Sequence, residues 1–354
     1  MSLQENIEQT RARQNKELLI RNNPLSLYPE SLDTLLERSF SPTRWVVEGL
    51  LPSEGLTIMS AMPGSFKTWI MLEVALCVAQ GDKLFGQYQT QASGVLIVDE
   101  ESGMRMLNER FKQLNAPKGL PIIYFSREGH KVTQEYVDSL ISVCLVNSIG
   151  LVIFDSLVRL HQGDENTSRD MSDLFNLFKQ LADNGISVLI AHHNRKGIPG
   201  SYNPSGDMRG SSDILAAVDC HLAVNRNKNS EYVEVRQTKN RYMREVPPFK
   251  LRFIERDGYS EFQFVEVLET KNDQRDKWKL IILEQLSKEP DPTKKDLLNQ
   301  LNALGIDIKL GVLGDLLEEL RTSKRIDTKP GVRNAVHYFV TENTSAVKNG
   351  GIYE

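Results

Sequence analysis

The chain has 354 residues, 40% apolar and 25% charged, with a formal net charge of -4. That length accommodates one large and one small globular unit. The balance excludes both a disordered chain and a generally basic nucleic-acid coat, so any DNA contact must be local. Three cysteines, Cys77, Cys144 and Cys220, lie in apolar runs without metal-ligand spacing and read as reduced core residues. The N-terminus is polar, and no apolar run approaches the roughly 20 residues that span a bilayer. A cytoplasmic protein without membrane contact is expected.

In chain order, residues 1–40 read as a polar, helix-favouring extension broken at Asn23-Pro24, too poor in apolar residues to fold alone. From Trp45, short apolar runs alternate with longer helical periodicity, the rhythm of a mainly parallel sheet flanked by helices. The runs are 55–60, 95–98, 122–125, 151–154, 188–191 and 221–224, with helices over 68–80 and 170–184. Two alternating runs, 232–238 and 249–254, flank Pro247-Pro248 and predict an antiparallel ribbon ending an α/β core over 41–270. A charged linker at KNDQRDKWK leads to helices 277–287, 294–303 and 310–324, followed by a β-hairpin around Pro330-Gly331. Three helices and a hairpin are the order of a winged helix, expected over 271–341, with a flexible tail at 342–354.

The first apolar run leads into Ala61-Met62-Pro63-Gly64-Ser65-Phe66-Lys67-Thr68, where the phosphate-binding consensus is GxxxxGK[ST]. A loop at a helix N-terminus aims backbone N–H groups at an anion, Lys67 adds a point charge, and the Thr68 hydroxyl can ligate Mg²⁺. Phe66 replaces the glycine before the lysine, so its side chain must point away from a nucleotide. The fourth run ends in Asp155, placed to hold the Mg²⁺ shell at the edge of a buried strand. The second ends in Asp99-Glu100-Glu101, like charges that read as crowded at the same edge. Glu101 is preferred to Glu100 as the base that polarises an attacking water; a solvated acidic turn is the plainer alternative. After the fifth run, His192 is the better placed of His192 and His193 to sense a γ phosphate.

Taken together, GLTIMSAMPGSFKT, VLIVDEES, LVIFDS, LIAHHNRKG, DMRGSSD and QTKNRY resemble the RecA-superfamily P-loop ATPases, and more narrowly the RepA-type replicative helicases of plasmids and prophages. The resemblance covers roughly residues 41–255. It implies a RecA-like core, ATP and Mg²⁺ as cofactors, a catalytic glutamate at Glu101 and a sensor at His192 or His193. Among Arg209, Lys239 and Arg241 it implies a cation that reaches a neighbouring subunit's γ phosphate, without deciding which. It further implies a homo-oligomer, expected to be a hexamer, and loops around 161–168 and 195–210 that track single-stranded DNA, with Arg195 and Lys196 on its phosphates. The C-terminal module bears Lys324, Arg325, Lys329 and Arg333 beside Asp315, Glu318 and Glu319. Both DNA and a protein partner (an initiator, primase or loader) fit that mixture. The expected activity is an ATP-driven motor on single-stranded DNA; a nucleotide-switched DNA-binding accessory and a regulatory ATPase are the alternatives.

Overall fold

The computed structural model describes residues 30–40, 42–161, 168–194, 211–269, 271–288, 291–332 and 335–341. The chain divides into two compact units, Met1–Arg44 and Trp45–Glu354. In the first, helix α1 (Leu32–Glu37) is capped by the Ser31 hydroxyl, which accepts a hydrogen bond from Thr34 N at 3.1 Å; none of its residues is buried.

The second unit opens with a two-stranded antiparallel sheet of β1 (Trp45–Val47) and β2 (Leu51–Pro52). Next come β3 (Leu56–Ala61), α2 (Lys67–Gln80), β4 (Gly94–Asp99), α3 (Met104–Gln113), β5 (Ile122–Ser126), α4 (Gln134–Val146), β6 (Ile149–Asp155), α5 (Leu157–Leu160), α6 (Ser168–Asp183), β7 (Ser187–His193), α7 (Ser211–Ala217) and β8 (Cys220–Asn225). Three antiparallel strands complete the large sheet: β9 (Tyr232–Asn240), β10 (Phe249–Arg256) and β11 (Tyr259–Val267). The spatial order is β11-β10-β9-β8-β3-β7-β6-β4-β5, parallel from β8 to β5. The fold is α/β, a mostly parallel sheet flanked by helices. The ribbon expected to end the core carries a third strand, β11, whose alternation is blurred by its polar, half-exposed positions.

Strand alternation divides the core in two. Met59, Ile97, Ile153 and Leu189 face α2, while Ile58, Val98, Phe154 and Ile190 face α4 and α6. Helix α2 is apolar on nearly every side because it is enclosed, with nine of its residues buried, and Gly81 ends it at φ 75°. The α6 pattern at three-to-four spacing places Met171, Leu174, Phe175, Phe178 and Leu181 in the second core.

After the sheet come α8 (Lys271–Lys288), α9 (Lys294–Ala303), α10 (Leu310–Thr322), and the hairpin β12 (Ile326–Pro330) with β13 (Val336–Val340). They share a separate apolar core around Ile282, Leu286, Leu297, Leu301, Leu313, Leu317 and Leu320. The segment KNDQRDKWK, expected to be a linker, is instead the first half of α8: its charges are compatible with an exposed helix, and only Trp278 packs against that core. Thr293 and Asp296 form a reciprocal capping box at the start of α9. On α10, Glu319 is held by Arg275 and Lys279 of α8, and Glu318 pairs with Arg321 at 3.0 Å. Two of the three acidic side chains of α10 are therefore paired with cations of the same module. In the hairpin, Lys329 pairs with Asp291.

Candidate nucleotide site

The parallel strands bring their C-terminal ends to one rim, where β3 passes into the loop 62–66 and α2. Gly64 sits at φ 79°, and a β-carbon there would meet nothing within 4 Å, so backbone conformation is what the glycine supplies. Phe66 is the residue before the helix, at φ 61°, ψ 17°, a left-handed conformation that a non-glycine residue adopts at a cost. Its ring turns away from the rim and packs on Phe253, with centroids 4.3 Å apart. The guanidinium of Arg226 covers it, 3.9 Å from the ring centroid.

Lys67 opens α2 and is buried, its ammonium donating to the His192 carbonyl at 3.2 Å. Burial drives its pKa down, more strongly than the nearby charges of Asp155 and Glu101 raise it. Asp155 ends β6 two residues beyond Ile153, and so lies on the α2 face of the sheet. Its Oδ2 accepts the Thr68 hydroxyl at 2.7 Å, while its buried Oδ1 has no hydrogen-bond partner among the described residues. Burial raises the Asp155 pKa, offset in part by Lys67 and Thr68. An ammonium and a carboxylate each disfavoured by burial are groups that a polyphosphate and a divalent cation, respectively, would compensate. Hard oxygen donors with an unshared buried lone pair fit Mg²⁺, with Thr68 and Asp155 as the residues that would hold it.

The three acidic residues after β4 do not crowd one another. Asp99 accepts from the backbone N–H groups of Glu101, Ser102 and Gly103 at 2.8–3.1 Å and so closes the turn. Glu100 accepts from the N–H groups of Glu128 and Gly129 at 3.1–3.3 Å. Glu101 alone turns to the rim. Its Oε2 lies 3.3 Å from His193 Nε2, and its backbone carbonyl accepts from Arg127 Nη2 at 2.6 Å. The hydrogen bond with His193, with smaller contributions from the charges of His193 and Lys67, lowers the Glu101 pKa to about 2.

The structure does not bring His192, expected as the sensor, to the side of the sheet that carries Asp155. His192 and His193 are successive strand residues and point to opposite faces. His193 shares the face of Asp155 and meets Glu101; His192 is fully buried on the other face. There Ser60 Oγ and His221 Nε2 are 2.8 Å apart, and His221 Nδ1 is 2.5 Å from Thr238 Oγ1. Burial, with His192 nearby, brings the His221 pKa down to about 4.

Lys239 and Arg241 are not brought to this rim. Strand β9 runs antiparallel to β8, pairing Asn240 with Cys220 and Glu234 with Asn225, so both cations stand at the opposite end of the sheet. Lys239 donates to the Leu215 carbonyl at the end of α7. Arg241 donates to Asp219 Oδ1 at 3.0 Å, and Asp219 Oδ2 accepts from Leu56 N, the first residue of β3, at 2.9 Å. Arg195, Lys196 and Arg209 lie outside the described residues.

Two contributors had escaped the sequence reading. Arg127 holds the Glu101 turn, and Arg226 holds the loop 62–66, its Nη1 donating to the Gly64 carbonyl at 2.9 Å. Each follows the C-terminal end of a parallel strand, which was the available signal; neither belongs to a short motif.

The profile of the AAA domain family matches residues 22–198, half of the chain. The chain belongs to that family. Among solved structures it is similar to the crystal structure of the RadB recombinase, at 18% identity over 67% of this chain and 97% of that one, with a TM-score of 0.44. It is also similar to a KaiC-like protein from the hyperthermophilic archaeon Pyrococcus horikoshii, at 14% identity over 64% of this chain and all of that one, with a TM-score of 0.46. No curated protein matches. None of the described helices is long and apolar enough to cross a membrane.

Proposed function

We propose that this AAA-family chain binds ATP·Mg²⁺ at the C-terminal rim of its sheet and hydrolyses it, working as a ring-forming motor on single-stranded DNA. The observation that carries the ATPase reading is the meeting of Lys67, Thr68, Asp155 and Glu101 at one end of the sheet. The α2 N-terminus and Lys67 bind and orient the β and γ phosphates. Bound Mg²⁺ would neutralise charge accumulating on those phosphates. Thr68 and Asp155 are the residues that would hold the cation. Glu101, ionised at neutral pH, accepts a hydrogen bond from the attacking water and aligns it with the γ phosphate. His193 keeps that carboxylate charged and aimed.

Assembly into a ring, as a hexamer, is supported by the resemblance and by the site of Lys239 and Arg241 at the far rim. Cations there stand away from their own subunit's phosphates, and to meet a neighbour's they would have to leave the Leu215 carbonyl and Asp219. The channel loops that would follow DNA are 161–168 and 195–210, with Arg195 and Lys196 as phosphate contacts; both segments follow strands that end at the nucleotide rim. The C-terminal helices and hairpin, read as a winged helix, would dock an initiator, primase or loader.

Phosphate release from ATP·Mg²⁺, measured with and without single-stranded DNA, tests this directly. Strong stimulation and loss of activity in Lys67→Ala are expected; activity untouched by Lys67→Ala would remove the phosphate site. Forked-duplex unwinding separates a motor from a nucleotide-switched DNA-binding accessory, and mass in solution with ATP·Mg²⁺ tests the ring.

A further inference from the structure

The loop that joins β3 to α2 carries a conflict. Glycine is the residue that takes φ near +60° freely, yet position 66 is phenylalanine, at φ 61°. Something must hold it there, because a drift of Phe66 toward its preferred negative φ would turn the 66–67 peptide and so distort the loop ahead of Lys67. Three groups oppose that drift. Phe253, on β10, supports the ring from beneath at 4.3 Å and itself packs on Trp69 at 5.2 Å and Phe262 at 5.0 Å. Arg226, on the loop between β8 and β9, covers the other face at 3.9 Å. Its guanidinium edge also donates to the Gly64 carbonyl at 2.9 Å, within the loop itself. Its Nε is anchored in turn on the Ser230 carbonyl at 2.8 Å. A planar guanidinium can stack and donate from its edge at once, whereas an ammonium cannot.

We propose that Arg226 is a positioning residue: clamped between the Ser230 and Gly64 carbonyls and stacked on Phe66, it holds this glycine-deficient loop in its phosphate-binding conformation. The inference rests on the nucleotide-site reading above and deepens it. Arg226 acts through Phe66 and Gly64 rather than by touching ATP, so its importance depends on which residue occupies position 66. Where that residue tolerates the left-handed conformation, the clamp becomes nearly dispensable.

The test is a cycle of full-length variants read by titration with a fluorescent ATP analogue in Mg²⁺ and by steady-state phosphate release. In the wild-type background, Arg226→Ala should weaken analogue binding and raise KM roughly tenfold, the scale set by the disfavour of left-handed backbone. The value of kcat should stay within about twofold, since Lys67, Asp155 and Glu101 remain. Arg226→Lys should behave like Arg226→Ala. In a Phe66→Gly background, Arg226→Ala should cost no more than about two- to threefold, the residue of the lost Gly64 hydrogen bond. Phe66→Asn, the non-glycine residue best suited to left-handed backbone, provides a second background should Phe66→Gly not fold. Equal losses in both backgrounds would overturn the clamp, as would no loss in either. Lys67→Ala separates the two levels of inference. If it abolishes analogue binding while Arg226→Ala matches the wild type, the clamp alone fails; if it binds like the wild type, the nucleotide site fails as well.

Discussion

Glu101 and Glu100 are adjacent carboxylates with different surroundings, and that difference predicts their mutants. Glu101→Gln keeps the shape of the side chain and an oxygen that can face His193, but removes the charge that aligns a water. General-base assistance is worth about 10²–10⁴ in rate, so kcat should fall by that factor. Nucleotide binding should change little, because Glu101 makes no described hydrogen bond to the loop 62–66. Folding stability should hardly move, since the Glu101 side chain is 42% exposed and ion pairs of that exposure contribute little. Glu100→Gln should behave in the opposite way. Both of its oxygens are occupied by the Glu128 and Gly129 N–H groups, so turnover should stay within about threefold, while the loss of charge-assisted bonds costs about 1 kcal/mol in the 127–131 loop. Phosphate release at saturating ATP·Mg²⁺, paired with analogue titration and thermal melting, reads all of these quantities. Retention of more than about a tenth of kcat in Glu101→Gln would refute the assignment of the base. So would an equal loss in Glu100→Gln.

Asp155→Asn, nearly isosteric, should leave metal-free nucleotide binding intact and remove most of the increment that Mg²⁺ adds; titrations with and without excess chelator check this. His193→Ala should lower turnover and shift its acid limb. The wild-type Glu101 pKa of about 2 keeps the carboxylate ionised well below neutrality, but without its largest lowering influence it should climb toward the ordinary 4.5. Turnover of the variant should therefore fall as pH drops through about 5, where the wild type is unaffected by this group. Any linked stability has the same sign, present above about 4.5 and lost as pH falls toward about 2, but is small because the Glu101 side chain is 42% exposed. An acid limb shared by the wild type and His193→Ala would show that His193 does not govern Glu101. Arg241→Ala should spare nucleotide binding and depress turnover only under conditions that support assembly; unchanged turnover in assembled protein would pass the role of reaching a neighbour's γ phosphate to Lys239 or Arg209.

Several elements were legible from local pattern alone. The apolar runs at 95–98 and 151–154 are strands β4 and β6, because residues buried on both faces of a parallel sheet leave an unbroken apolar signal. The order Lys67-Thr68 at a helix start, with acidic residues after later strands, pointed to one rim because parallel strands necessarily end together. Strand β11 escapes a local reading because only Ser260 and Phe262 of its nine residues are buried. The charged start of α8 was misjudged because a solvent-facing helix needs few apolar residues in its first turns.

What sequence by itself determined, then, was the α/β frame and the edge of the sheet where Lys67, Asp155 and Glu101 gather, since periodicity and chain order are local properties. Tertiary structure alone decided which members of adjacent pairs meet at that edge. Strand parity put His193 rather than His192 beside Glu101, and the N–H groups of the 128–129 turn drew Glu100 away. Likewise Phe66 packs against Arg226 and Phe253, 160 and 187 residues further along the chain. Such choices depend on contacts between distant segments, which no short window of sequence contains.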